Sequence, residues 1–415
     1  MPQGWRILSG LVAGLALGIA VPGQPDAQAL ASLIGGLWLD GLKMTIIPLV
    51  VALLIVGIAG TARSARGSRL AMHAVILFMA LLWLSALVAA LLVPALLNLW
   101  PLPADTAVQL RAGLTGADTV AAAPPGLITF LRSVIPVNPV AAAAESQLLP
   151  LILFTGLFGI ALTRLPQDRA APVIAFFTTV ADAMLVIIGW VLWLAPLGVA
   201  ALAFTLGATV GASAVGALGH YILIVSAAGL VIWALALPLA VLGGGVPVLA
   251  FLRASGPVMA VALSTQSSLA CLPSMLKASE DMGVPSGVAK VTLPLAVAIF
   301  RVTGPAMNLA VAIYVAHWFG VTLTPTALAA GVAVAAITTI SSVSLPGQLS
   351  FLTSITPVAF AMGVPIEPLA LLVAVEMLPD LVRTGSNVSM DMATTLALSR
   401  HSRTTPTQDP AQDPA

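Results

Sequence analysis

The chain has 415 residues, 60% hydrophobic and only 7% charged, with a net charge of +1 and a mean hydropathy of +1.09. Soluble domains carry about 25% charged residues, so this composition excludes an ordinary water-soluble protein and points to a chain that crosses a bilayer many times. The near-neutral balance implies no nucleic-acid partner, and Cys271, the single cysteine, excludes an intrachain disulfide and a multi-cysteine metal site; neither metal nor cofactor is expected.

Residues 5–22 form the first apolar run. A secretory signal with an A-Q-A cleavage site would fit its flanks, but the run is long enough to span and a short loop follows it. The second span, about 28–62, contains L-K-M-T-I-I-P-L-V and is followed by Arg63, Arg66 and Arg69. This cluster is the clearest positive-inside signal and sets that loop, and hence both termini, on the cytoplasmic side. A third span, about 70–99, leads to a polar loop near 101–122. A broken segment at about 124–163 returns to Arg164 and Arg169, and two more spans follow at about 172–206 and 214–242.

After residue 246 the pattern changes. Residues 248–282 are two short apolar pieces around a polar S-T-Q-S-S centre, with Arg253 and Lys277 toward the ends. Each piece is too short to cross roughly 30 Å, so a helical hairpin that enters and returns on the inner side is expected. The same shape recurs at about 325–362, with S-S-V-S-L-P-G-Q at its tip. Between the two runs a span, about 288–318, interrupted by F-R-V-T-G-P. Paired discontinuous elements of this kind mark the binding site of secondary transporters.

The last apolar stretch carries the densest charge. Glu376, Asp380, Arg383, Thr384, Asn387 and Asp391 stand at offsets −4, 0, +3, +4, +7 and +11 from Asp380. On a helix they share an arc of about 100°, while Leu378, Leu381, Met390 and Met392 occupy the rest. Ionised side chains inside a bilayer mark function unless they are paired or wetted. The bland alternatives are a helix end in cytoplasmic water and a self-satisfied Arg383–Asp380 pair. Neither accounts for Thr384 and Asn387 on the same face.

The fold class expected is an all-α polytopic membrane protein with about eight transmembrane helices plus two re-entrant helical hairpins. A channel lined by the charged stripe is the competing class. A membrane enzyme is set aside, because Ser267 or Ser268 would need a base and neither hairpin, nor the stretch through Asp391, holds a histidine.

On these motifs the chain resembles the dicarboxylate/amino acid:cation symporter family, which has the glutamate-transporter fold with inverted repeats. L-K-M-T-I-I-P-L-V, the N-P…L-P-L-I-L-F…G-I-A-L segment and the S-T-Q-S-S-L-A-C-L-P hairpin are similar to family motifs. The most specific is D-L-V-R-T-G-S-N-V-S-M-D, similar to the family's D-x-x-R-T-x-x-N-V-x-x-D. The resemblance implies a homotrimer in the inner (plasma) membrane whose protomers work independently by an elevator motion. Segments 1–69 and 101–206 would form the scaffold; 70–100 and 207–400 would form the transport domain. Residues 401–415 would be a disordered cytoplasmic tail.

The resemblance also implies roles. Arg383 would hold the side-chain carboxylate of an acidic amino acid, and Asp380 its ammonium. Thr384 and Asn387 would bond the amino group and α-carboxylate. The carboxylate's shell would be completed at the hairpin tips, by Ser267 and Ser268 and by Val343, Ser344, Pro346 and Gly347. Where the family has N-M-D-G-T, whose oxygens hold coupling sodium ions, this chain reads Phe300, Arg301, Val302, Thr303, Gly304. Gln266 replaces an arginine of several prokaryotic members, a minor change. The expectation is an acidic amino-acid carrier independent of sodium, in which Arg301, paired with Asp391 or Glu376, replaces the coupling cation. A proton- or sodium-coupled symporter of acidic or neutral amino acids or dicarboxylates, or a substrate-gated channel, is the alternative.

Overall fold

The computed structural model describes residues 3–21, 24–65, 69–101, 135–145, 148–211, 213–341 and 347–404, and among these every regular element is helical. In chain order they are α1 (Gln3–Ala20), α2 (Pro25–Ala65), α3 (Arg69–Leu99), α4 (Pro139–Ala144), α5 (Leu148–Leu162), α6 (Gln167–Trp193), α7 (Ala195–Val210) and α8 (Ser213–Ala234). A short turn (Ala236–Pro238) and a π-helical turn (Leu239–Gly243) extend α8. Then come α9 (Val248–Thr265), α10 (Leu272–Asp281), α11 (Ser286–Ile299), α12 (Thr303–Phe319), α13 (Pro325–Ser341), α14 (Gly347–Ala361), α15 (Glu367–Leu372) and α16 (Met377–Thr404). Among the described residues four stretches, Arg69–Leu99, Gln167–Trp193, Ala214–Gly243 and Ser286–Phe319, are long and apolar enough to cross a membrane.

Two expectations need correction. The span drawn at 172–206 is divided at Leu194: α6 ends at Trp193 and α7 restarts at Ala195, with Pro196 in its first turn. Proline has no N–H to donate and its ring crowds the carbonyl one turn back, so the helix breaks there. The last helix also starts after Glu376 and runs well beyond Asp391. Glu376 precedes it in a turn, and α16 continues to Thr404, four residues into the segment expected to be irregular.

Two sets of helices pack chiefly among themselves. In the first, α1 lies along α7, and α2 packs on α5, α6 and α7. The α1–α7 contact is unusually close: a Cβ on Gly10, Gly14 or Gly18 would fall 2.4, 2.1 or 2.2 Å from a carbonyl oxygen of α7. Small residues spaced by four let helix backbones approach where no hydrophobic effect drives association. In the second set, α16 packs on α8, α9 and α11, α12 on α3 and α8, and α13 on α14. Its centre is α12, where every residue from Thr303 to Ala316 is buried. The arms α9 and α10 lie against one another, as do α13 and α14.

Candidate substrate site

The site forms where α11 breaks before α12. Phe300 leaves the helix at φ −105° and ψ 82°, and its ring stacks on Phe78 of α3 with centroids 4.5 Å apart and an interplanar angle of 11°. A break inside a membrane span frees backbone groups that must find other partners. Here neighbouring helices supply them. Ser85 of α3 donates its hydroxyl to the Val302 carbonyl. The side-chain carbonyl of Asn387, on α16, accepts the Thr303 N–H at 3.0 Å and the Thr303 hydroxyl at 2.6 Å. Arg301 is thus carried on a turn tied to α3 on one side and α16 on the other.

The start of α16 brings the charges together. Arg383 Nη2 donates to Glu376 Oε1 at 2.9 Å, and its Nε lies 3.6 Å from Asp380 Oδ1. Its Nη1 donates to Asn308 Oδ1, on α12, at 3.0 Å. The Arg383 side chain keeps 13% exposure, whereas Glu376 and Asp391 are each 1% exposed. Asp380, Thr384 and Asn387 are buried as well.

The expected pairing of Arg301 is not formed as drawn. Glu376 is engaged by Arg383, and neither carboxylate oxygen of Asp391 accepts a hydrogen bond among the described residues. Asp391 nonetheless lies within electrostatic reach of Arg301 and of Cys271. With every group ionised, Glu376, Asp380 and Asp391 against Arg301 and Arg383 leave one formal negative charge (three minus two). The side-chain carbonyl of Asn387 is committed to Thr303, so its amide N–H groups are the part left for any further partner.

The tip of the first helix pair lies at Gln266–Cys271. Gln266 ends α9 with a left-handed φ of 51°, a conformation uncommon outside glycine. The chain then re-enters a helix after Cys271, whose thiol donates to the Ser267 carbonyl at 3.3 Å. The Ser267 hydroxyl accepts the Ala270 N–H at 3.3 Å. Among the described residues the backbone N–H groups of Ser267 and Ser268 donate no hydrogen bond, so both can serve an anion. Gly347 is the first residue of α14; Val343, Ser344 and Pro346 lie outside the described residues.

Sequence reasoning missed Asn308 and Ser85, and it named Thr303 only within the broken motif, without its partner Asn387. Asn308 carried a signal, as an amide in an otherwise apolar run within a span, where a polar side chain needs a partner. Ser85 had none, since single serines are common in such helices.

Comparison with known proteins places these observations. The sequence model described as the sodium:dicarboxylate symporter family matches residues 4–401. The chain is 27% identical over 396 residues to the proton/glutamate-aspartate symporter of Escherichia coli K12, covering 92% of this chain and 89% of that protein. It is 29% identical over 412 residues to the proton/sodium-glutamate symport protein of Bacillus subtilis 168, covering 95% and 91%. To C4-dicarboxylate transport protein 1 of Pseudomonas aeruginosa UCBPP-PA14 it is 29% identical over 410 residues, covering 95% and 87%. With the broken span, the charged last helix and a match over nearly the whole length, the chain belongs to the sodium:dicarboxylate symporter family.

Proposed function

We propose that this protein is a secondary transporter of acidic amino acids, aspartate or glutamate, across the inner membrane, and that it works without sodium. The observation that carries the substrate class is Arg383 with Asp380 beside it on α16. A guanidinium is a permanent planar fork suited to a carboxylate, and a carboxylate one turn away suits an ammonium. The names of the E. coli and B. subtilis relatives support an acidic amino acid. Asp380 weighs against a plain dicarboxylate, which has no ammonium to meet it. Thr384 and the Asn387 amide bond the substrate's amino group and α-carboxylate. Ser267 and Ser268, with Val343, Ser344, Pro346 and Gly347 of the second tip, close around that carboxylate.

Sodium independence rests on the break. A sodium ion needs several oxygen ligands, and Phe300 and Val302 offer no side-chain oxygen. Val302 instead borders a cavity of about 310 Å³ whose other walls include Leu81, Leu84, Ile232, Leu235 and Met390. The one hydroxyl there, Ser85, is engaged by the Val302 carbonyl. Arg301 supplies a tethered cation in electrostatic reach of Asp380 and Asp391. Within this reading, proton coupling is the second possibility. The unbonded Asp391 carboxylate and the residual negative charge favour it.

The architecture we propose has about eight spans with α9–α10 and α13–α14 as re-entrant hairpins, and both termini in the cytoplasm. The packing of α1, α2, α5, α6 and α7 chiefly among themselves supports a scaffold for a homotrimer. The remaining helices would form the domain that moves in an elevator cycle.

Uptake into proteoliposomes tests the whole reading. Aspartate, glutamate, succinate, serine and alanine are offered with sodium replaced by choline or potassium at fixed pH, then with an imposed pH gradient. Saturable uptake or exchange of aspartate or glutamate without sodium is expected. A steep sodium dependence of affinity overturns the coupling claim. Competition by neutral amino acids alone overturns the substrate claim, and current that persists without substrate favours a channel.

A further inference from the structure

Arg383 is approached by three acceptors, and one of them is not an acid. Glu376 and Asp380 meet Nη2 and Nε, while Asn308 meets Nη1 from the neighbouring helix α12. Asn308 is 1% exposed, in a helix buried at every residue from Thr303 to Ala316. A guanidinium has five N–H groups. One on Nη2 goes to Glu376, one on Nη1 to Asn308, and the Nε–H faces Asp380. That leaves one N–H on each terminal nitrogen without an acceptor among the described residues, and a carboxylate can take both.

From this we infer that Asn308 is a positioning residue for substrate selection: it fixes the plane of the Arg383 guanidinium with a neutral acceptor, so that the free N–H pair receives the side-chain carboxylate of an acidic substrate. The inference rests on the acidic-substrate reading above. Neutrality is central to the role. Two carboxylates already face one guanidinium, and a third at position 308 would repel the incoming carboxylate. An apolar side chain there would leave Nη1 without its buried acceptor and let the fork turn. The other charged or titratable groups facing Arg383 are Arg301 and Tyr221, and neither offers a replacement acceptor of the same kind.

The test uses the full-length protein in detergent and in liposomes, with N308D, which keeps shape, and N308L, which keeps volume but removes the acceptor. Aspartate affinity is measured between pH 5 and 8 against wild type. N308L is expected to weaken aspartate at least about tenfold at every pH, the cost of losing a hydrogen bond to a charged group. N308D is expected to be weaker still at high pH and to recover relative to wild type as the pH falls and the introduced carboxyl takes a proton. A purely structural role would not produce a recovery confined to N308D. The thermal unfolding midpoint of each variant separates misfolding from mispositioning. If N308D is no worse than N308L at high pH, if its affinity does not recover on acidification, or if either folded variant binds aspartate like wild type, the inference is wrong. If wild type itself binds no acidic amino acid, it is the proposed function that fails.

Discussion

The side-chain carbonyl of Asn387 accepts two hydrogen bonds from one residue, the N–H of Thr303 at 3.0 Å and its hydroxyl at 2.6 Å. This single group joins the last helix to the break that carries Arg301. The Thr303 hydroxyl also reaches the Arg383 carbonyl at 3.2 Å, so the residues proposed to bind substrate and the break share one polar network.

That network predicts an asymmetry between two variants. N387A leaves the buried Thr303 N–H without its acceptor, which costs roughly 1–3 kcal/mol, and removes the amide proposed to meet the substrate. T303V loses the hydroxyl bonds but keeps the N–H bond. We expect N387A to lower both the unfolding midpoint and aspartate affinity, the latter at least about tenfold, and T303V to do less of each. Equal effects in thermal unfolding and binding titrations would show that the N–H bond does not hold the two helices together.

Arg301 and Asp391 provide a test of coupling through space. Each is in electrostatic reach of the other, yet no hydrogen bond joins the Asp391 carboxylate to any described residue. R301M strands Asp391 as an uncompensated buried anion, whereas D391N takes away the carboxylate that faces Arg301 and leaves two acids against two arginines. The double variant removes one charge of each sign. A double-mutant cycle on aspartate affinity should give a coupling of about 1 kcal/mol or more, with the pair binding better than the single changes imply. Additive losses would remove the reason for calling Arg301 a tethered counter-ion.

Asp380 separates amino acids from dicarboxylates. D380N keeps size but removes the anion proposed to meet the substrate ammonium, and it also relaxes one of the charges beside Arg383. Aspartate affinity should fall by more than the roughly fivefold of a neutral hydrogen bond, while succinate, which has no ammonium, should bind no worse than before. Competition assays with the two ligands decide this, and a parallel loss for both would mean that Asp380 acts only on Arg383.

How much of this was legible in the sequence follows from what each pattern reports. Charges confined to one arc of a helix in an apolar chain are a local signal, so Asp380, Arg383, Thr384, Asn387 and Asp391 could be read from spacing alone. Which partner each charge takes is not local. Glu376 sits seven residues from Arg383 in the chain, whereas Asn308 sits 75 away, and nothing in helical periodicity links α12 to α16. The break at Phe300–Val302 was visible as a motif, but its repair by Ser85 and Asn387 depends on tertiary packing. The division at Leu194 could have been read from Pro196, yet the run on both sides of it is apolar enough to hide the stop.

The last prediction concerns the contact between α8 and α16. Gly385 lies beneath the indole of Trp233: a Cβ there would come within 2.6 Å of Cη2 and 3.0 Å of Cζ2 and Cζ3. The ring has little room to yield, because its Nε1–H donates to Ser389 Oγ at 2.8 Å. Two effects then oppose each other in G385A. Replacing glycine by alanine inside a helix stabilises it by up to about 1 kcal/mol, while forcing a methyl into a filled contact costs about 1–3 kcal/mol. With the ring pinned, the clash should win, and the thermal unfolding midpoint should fall. W233F shortens the ring system and breaks the bond to Ser389, so it should also destabilise alone. Combined with G385A it should recover part of the loss, since the smaller ring can make way for the methyl. A midpoint for G385A above that of wild type, or a double variant with fully additive losses, would mean that the two helices do not meet at this point.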